Sequence, residues 1–295
     1  MTEGRDRTLV GIGLGVVAAI AFGTVAVLAK LGYRSGAPVM PLLASRFAIA
    51  AILLAIVRKL GRAKVPEKKR AVQLFVLGAL GYGFESSLFF AALSKTSAAV
   101  VGLVFYSYPL WTTLIALATG LESFRPRLMT ALALGSAGVI AIFSLPHTAL
   151  VGPMLALGAA IAVAVYFVIA QVLMTDVPAA AAANYTAAGA AVSVGAVALM
   201  LHRWMPLVAV GYAVLLGAIT VVAFLALYGA IVRIGSAHAA VAQMLEPVTT
   251  VLLAALILDE ALTARIGIGA ALIVSALPII SMQRREAVPP APDTL

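Results

Sequence analysis

The chain alternates long apolar runs with short polar punctuation, and the runs recur at a nearly constant length. Ten can be read, over residues 9–30, 38–57, 71–93, 97–118, 128–145, 149–174, 179–201, 208–232, 236–258 and 262–282. Each is near the roughly 20 residues that an α-helix needs to cross a hydrocarbon core about 30 Å thick. The connections are mostly short and hold the helix breakers and charges, as in "YRSGAP", "TDVP" and "HRWMP". Helical hairpins are therefore expected rather than a barrel, whose strands would alternate in hydrophobicity over about ten residues. The predicted fold is an all-α polytopic membrane protein with ten transmembrane helices. The first run follows Arg5 and Arg7, as the core of a signal peptide would. It is longer than the roughly 7–15 apolar residues of such a core and leads into further spans, so it is read as mature structure.

Composition supports this reading. Of 295 residues, 63% are hydrophobic and 11% charged, against about a quarter charged in a soluble domain. There is no cysteine, which excludes disulfides, cysteine nucleophiles, thiolate metal sites and iron-sulfur clusters. The net charge of +9 has a geography. Seven positives lie in one loop, "RKLGRAKVPEKKR", between the second and third spans. With the N-terminus inside, the cytoplasmic segments hold fourteen Lys and Arg and the outer ones five, while Arg46 lies within a span. Basic residues concentrate on cytoplasmic loops, so both termini are expected to be cytoplasmic. The basic loop is then an orientation signal, with anionic-lipid contact secondary, and nucleic acid is not an expected partner.

The chain also repeats itself. "FYSYPLWTTLIALATGLES" (105–123) aligns with "QMLEPVTTVLLAALILDEA" (243–261), so that Pro109 falls on Pro247, Thr112 on Thr250 and Glu122 on Glu260, each 138 residues apart. "AAIAFGTVAVLAK" (18–30) aligns with "AAIAVAVYFVIAQ" (159–171) at an offset of 141. The expected units are residues 1–145 and 146–282, five spans each, followed by a disordered cytoplasmic tail over 283–295. Five is odd, so the second unit enters the membrane from the opposite side. Such an inverted repeat gives alternating access a structural basis.

A proline in the fourth span of each half, an acidic residue thirteen positions later and the following "LTARIGIGAALIVSAL" resemble the EamA-type drug/metabolite transporter superfamily, over essentially residues 8–282. The basic loop and the aromatic residues of spans three and four look most like the YddG-type exporters of aromatic and other neutral amino acids. The resemblance implies two inverted five-helix repeats around a central cavity, in the inner membrane, from which amino acids are released outward. One departure is visible: "TGLES" stands where the second half has "ILDEA", so only the glutamate of the acidic pair is matched.

Polar residues within the membrane cost a few kcal/mol and are candidates for function. In the third span Gly78, Tyr82, Glu85 and Phe89 are spaced for one helical face. Glu85 could meet a substrate ammonium while Tyr82 or Phe89 packs its side chain. Alternatively, it is protonated or paired with Arg46 or Lys30 and only joins helices. In the ninth span Gln243 and Glu246 share a face, and Pro247 frees the carbonyl near position 243. In the fourth span Tyr106 and Tyr108 precede Pro109, which acts likewise near Phe105. The prolines either bend helices around a cavity or serve packing alone. Arg46 and Lys30 are candidate partners for a substrate carboxylate, Arg46 with the better fork geometry, while Lys30 could simply reach for the interface. Tyr166 joins the expected aromatic group. Glu122 and Glu260 are read as structural, capping a helix or pairing with Arg125 and Arg265.

No catalytic constellation is found: three histidines are scattered, and neither a HExxH helix nor a GxxxxGK[ST] loop is present. The expected protein is a secondary transporter or facilitator, not an enzyme. Its partners would be a small-molecule substrate and the bilayer, with no cofactor, metal or obligate protein partner. The alternatives are a carrier of another metabolite or drug, a channel, or an intramembrane enzyme.

Overall fold

A computed structural model of the chain describes residues 2–93, 95–96, 98–142, 150–201, 205–258 and 262–281. The described residues are almost wholly helical, as a lipid-embedded backbone must be to satisfy its own N–H and C=O groups. The first two spans are α1 (Thr2–Arg34) and α2 (Val39–Leu60). The third is composite: α3 (Lys68–Val76), a π-helical segment (Leu77–Tyr82) and α4 (Gly83–Leu93). The fourth is broken into α5 (Ala98–Phe105) and α6 (Tyr108–Ala118), and α7 (Pro126–Ile142) is the fifth. In the second half, α8 (Val151–Leu173) and α9 (Ala179–Met200) are the sixth and seventh. A short 3-10 turn (Leu207–Ala209) leads into α10 (Val210–Gln243), followed by α11 (Leu245–Leu258) and α12 (Ala264–Ser281).

Seven helical segments are long and apolar enough to cross a membrane, and three shorter apolar ones, Pro126–Ile142, Leu245–Ile257 and Ala264–Ile280, accompany them. Together they make the ten expected passes, with the end of α10 belonging to the ninth along with α11. Gly235, with φ 79° and ψ 167°, interrupts α10, a conformation that glycine adopts without the cost of a Cβ. Before this residue, Gly11 of α1 sits against Ile234 and Gly32 against Tyr212, so the two helices run antiparallel. Beyond it, Gly15 sits against Ala242 and Gly23 against Thr249, so the chain runs parallel to α1. The eighth and ninth passes therefore join at a single residue.

The halves pack as counterparts. α1 lies along α10 and α11, and α8 lies along the third span, α5 and α6. Within these pairs Gly158 meets Leu88 and Gly81 meets Tyr166, the same antiparallel sense as α1 with α10. α2 packs on α9 and α7 on α12, each against its own counterpart. In the last pair Gly138 and Gly269 each bring the other's carbonyl within 2.6 Å of where a Cβ would stand. Small residues permit this approach, from which membrane helices gain van der Waals contact. Large apolar side chains such as Ile52, Phe84, Ile140 and Leu256 point outward, as expected of a lipid-facing surface.

The two proline breaks are equivalent. Pro lacks the N–H that would bond the carbonyl four residues earlier; for Pro109 that carbonyl belongs to Phe105, and for Pro247 to Gln243. α5 ends at Phe105 and α10 at Gln243. The Ser107 hydroxyl donates to the Val104 carbonyl at 2.6 Å, and the Met244 amide to the Val241 carbonyl at 3.1 Å. Past each break, Thr112 and Thr250 donate to the carbonyls of Tyr108 and Glu246 at 2.8 and 3.0 Å.

The expected single face from Gly78 to Phe89 is not maintained. The π turn over Leu77–Tyr82 changes the register within it, because its bonds run i to i+5. Gly78 abuts the backbone of Thr186 in α9, Gly81 abuts Tyr166, and Tyr82 reaches the centre. The expected boundary near residue 145, Glu260 and the 283–295 tail lie outside the described residues.

Candidate functional site

The helices converge on a layer of aromatic rings drawn from both halves. Tyr82 stands 5.4 Å from Phe47, 5.0 Å from Tyr166 and 5.3 Å from Phe224, centroid to centroid. Phe224 continues to Tyr228 at 5.8 Å. Tyr228 shares a hydroxyl hydrogen bond with Tyr166 and donates to Thr186 Oγ1 at 2.7 Å. A second aromatic group surrounds the fourth-span break, where Phe105 is 5.0 Å from Phe89, 5.7 Å from Tyr106 and 5.6 Å from Tyr108. Tyr108 meets Phe167 at 5.5 Å, and Phe167 neighbours Tyr166, which links the two groups.

Charges of both signs lie among these rings. Arg46 Nε donates to Thr220 Oγ1 at 2.8 Å, and its guanidinium carbon is 4.7 Å from the Phe47 ring centre, a distance at which a cation is attracted to the ring face. Arg46 interacts electrostatically with Glu85, Glu246, Tyr82 and Tyr33. Glu85 is 9% exposed and accepts a 3.0 Å bond from the Ser86 hydroxyl. Glu246 is hydrogen-bonded to Tyr106. Gln243, the last residue before the ninth-span break, is 1% exposed, and neither its Oε1 nor its Nε2 has a hydrogen-bond partner among the described residues.

Of the ten binding candidates in the sequence, Arg46, Tyr82, Glu85, Tyr166 and Glu246 come into one neighbourhood through these contacts. Phe89, Tyr106 and Tyr108 belong to the adjoining aromatic group. Gln243 ends α10 shortly before Glu246 in sequence, and Lys30 is exposed toward the end of α1. Phe47, Thr186, Thr220, Phe224 and Tyr228 were not anticipated. Thr220, Phe224 and Tyr228 recur every four residues, so a helical-face reading of the eighth span could have found them.

A separate polar cluster occupies the membrane face that carries the N-terminus. His238 Nδ1 lies 3.1 Å from Glu122 Oε2, while Arg125 Nε is 3.9 Å from Glu122 Oε1. The expected Arg125 partnership is thus present but looser than one with a histidine from the ninth span. Burial would raise the Glu122 carboxyl. The hydrogen bond and charge of His238, the Ser123 amide and Arg125 hold it instead below its ordinary value.

The sequence pattern of the EamA-like transporter family matches twice, over residues 9–144 and 150–282. This chain belongs to the EamA-like transporter family. Its members are transporters rather than enzymes, so the molecule is a multi-pass membrane protein with a small-molecule cargo. A solved structure described only as "Crystal structure of protein" is similar at TM-score 0.79 and 21% identity, covering 92% of this chain and 98% of the other. That likeness concerns the fold. No curated protein matches the sequence significantly. In this EamA-like transporter each matched segment contains one of the two proline-broken helices, and the aromatic layer draws on both.

Proposed function

We propose that this EamA-like transporter is a secondary carrier of amino acids, aromatic and other neutral ones, working by alternating access and exporting across the inner membrane. The supporting observation is Arg46 held in the field of Glu85 and Glu246 among aromatic rings contributed by both halves. A neutral amino acid is a zwitterion with one apolar group. Arg46 offers its carboxylate a two-pronged donor, Glu246 or Glu85 offers its ammonium a counter-charge, and Tyr82, Tyr106 and Tyr166 offer its side chain a π face. The side-chain amide of Gln243, unpaired among the described residues, adds a hydrogen-bonding group, whose burial without a partner costs about 1–3 kcal/mol until it is satisfied. Pro109 and Pro247 mark the points about which the broken spans would bend as the halves rock. Both termini are taken as cytoplasmic from the charge distribution, and the units as residues 1–145 and 146–282.

Uptake of a radiolabelled panel into proteoliposomes, with and without a pH gradient, tests the proposal. The panel holds aromatic, aliphatic and charged amino acids together with Met and Thr. Saturable uptake favouring aromatic or other neutral members is expected. Absence of amino-acid transport by correctly folded protein would overturn the substrate class and leave a carrier of another metabolite or drug.

A further inference from the structure

We propose that Glu122 and His238 form a one-sided latch that holds the two halves closed at the membrane face bearing the N-terminus. The proposal rests on the alternating-access reading above. Glu122 lies in the connection between α6 and α7, within the first matched segment, and His238 follows the Gly235 turn in the second. Their side chains are 12% and 10% exposed, and their nearest atoms are 3.1 Å apart. The pair therefore spans the two halves and is nearly withdrawn from solvent.

Its position defines its action. The pair borders a cavity of ≈ 50 Å³ that is also lined by Thr8 and Ile12 of α1, Gln171 near the end of α8 and Ile280 near the end of α12. Small-molecule sites generally occupy about 300–1,000 Å³, so this space is too small for an amino acid. It is what remains where helix ends from both halves meet. Separating the halves here would break the Glu122–His238 contact and wet both groups, while separating them at the opposite face would leave it intact.

The repeat makes the latch asymmetric. At the offset of 138 residues the counterpart of Glu122 is Glu260, but the counterpart of His238 is Val100. A valine offers no charge or hydrogen bond, so the same pair cannot form at the opposite face. Two otherwise matched halves thereby gain a preference for the state closed at the N-terminal face. Contacts made in one state alone are what shift such an equilibrium.

The cysteine-free chain allows a direct test. Phe124→Cys and Thr175→Cys place spin labels on exposed positions of that face, one in each half, and pulsed dipolar spectroscopy in nanodiscs reads their separation without any substrate. Glu122→Gln and His238→Gln should each populate a longer distance, the open fraction rising roughly five-fold or more. The exchanged pair, Glu122→His with His238→Glu, should restore the short distance. Unchanged distances in both single variants, or an exchanged pair as open as the singles, would overturn the latch. If one single variant does not give monodisperse protein, Glu122→Asp, which keeps the charge but shortens the reach, should give an intermediate distribution, and a wild-type distribution would count against the proposal. Because no transport is measured, failure of the amino-acid assignment appears only in the uptake assay and leaves this result independent.

Discussion

Tyr106 and Glu246, one from each half, are hydrogen-bonded to each other where the two proline-broken helices meet the aromatic layer. Each adjoins its break: Tyr106 directly follows α5, and Glu246 directly precedes Pro247. The relationship joins the two discontinuities of the repeat at one carboxylate.

The first prediction concerns that contact. A hydrogen bond to a charged group contributes about 1.5–3 kcal/mol, so Tyr106→Phe should lower apparent substrate affinity roughly ten-fold or more, with insertion unchanged. Glu246→Gln keeps the shape and removes the charge, and should reduce transport of zwitterions further. Wild-type uptake kinetics in both variants would remove Glu246 from the binding role.

How far these features were legible in the sequence varies with the physics behind them. Ten apolar runs and a 138-residue offset were visible because hydrophobicity and the prolines act locally. The ends of α5 and α10 at Phe105 and Gln243 followed from the missing proline N–H. The π turn over Leu77–Tyr82 was not legible, since it coincides with the packing of Gly78 on Thr186, a contact between distant segments. His238 as the partner of Glu122 was hidden for the same reason. The Gly235 turn separates it from the eighth span, and only the packed bundle brings it to the loop at 119–125.

The second prediction separates two roles of Arg46. Arg46→Lys keeps the charge but loses the planar fork that reaches Thr220. It should weaken amino-acid transport by about ten-fold, a change of about 1.4 kcal/mol, whereas Arg46→Ala should abolish it. Substrate analogues lacking the carboxylate should discriminate little between wild type and Arg46→Lys. Equal losses for acids and for such analogues would assign Arg46 to structure.

The third prediction tests close packing. An added Cβ at Gly189 would collide with the carbonyl of Phe75, whereas Gly195, on the same helix, has nothing within 4 Å. Overpacking costs about 1–3 kcal/mol, so Gly189→Ala should lower the melting temperature of purified protein, and Gly195→Ala should leave it unchanged or slightly higher because alanine favours helix. Equal melting temperatures for the two variants would contradict the proximity of α9 to the third span.

The last prediction follows from the sign of the Glu122 shift. Its folded carboxyl is held below the ordinary value, with His238 and Arg125 outweighing the effect of burial. A group depressed on folding contributes stability that is fully present above its unfolded value and is lost as pH falls through the folded one. Wild type should therefore be more stable than Glu122→Gln at neutral pH. The difference should begin to shrink below the ordinary carboxylate range and vanish once Glu122 is protonated in the folded protein. Melting curves of both proteins across an acid series measure it. A gap that widens on acidification would mean that the carboxylate is a burden in the folded state and that His238 does not offset its burial.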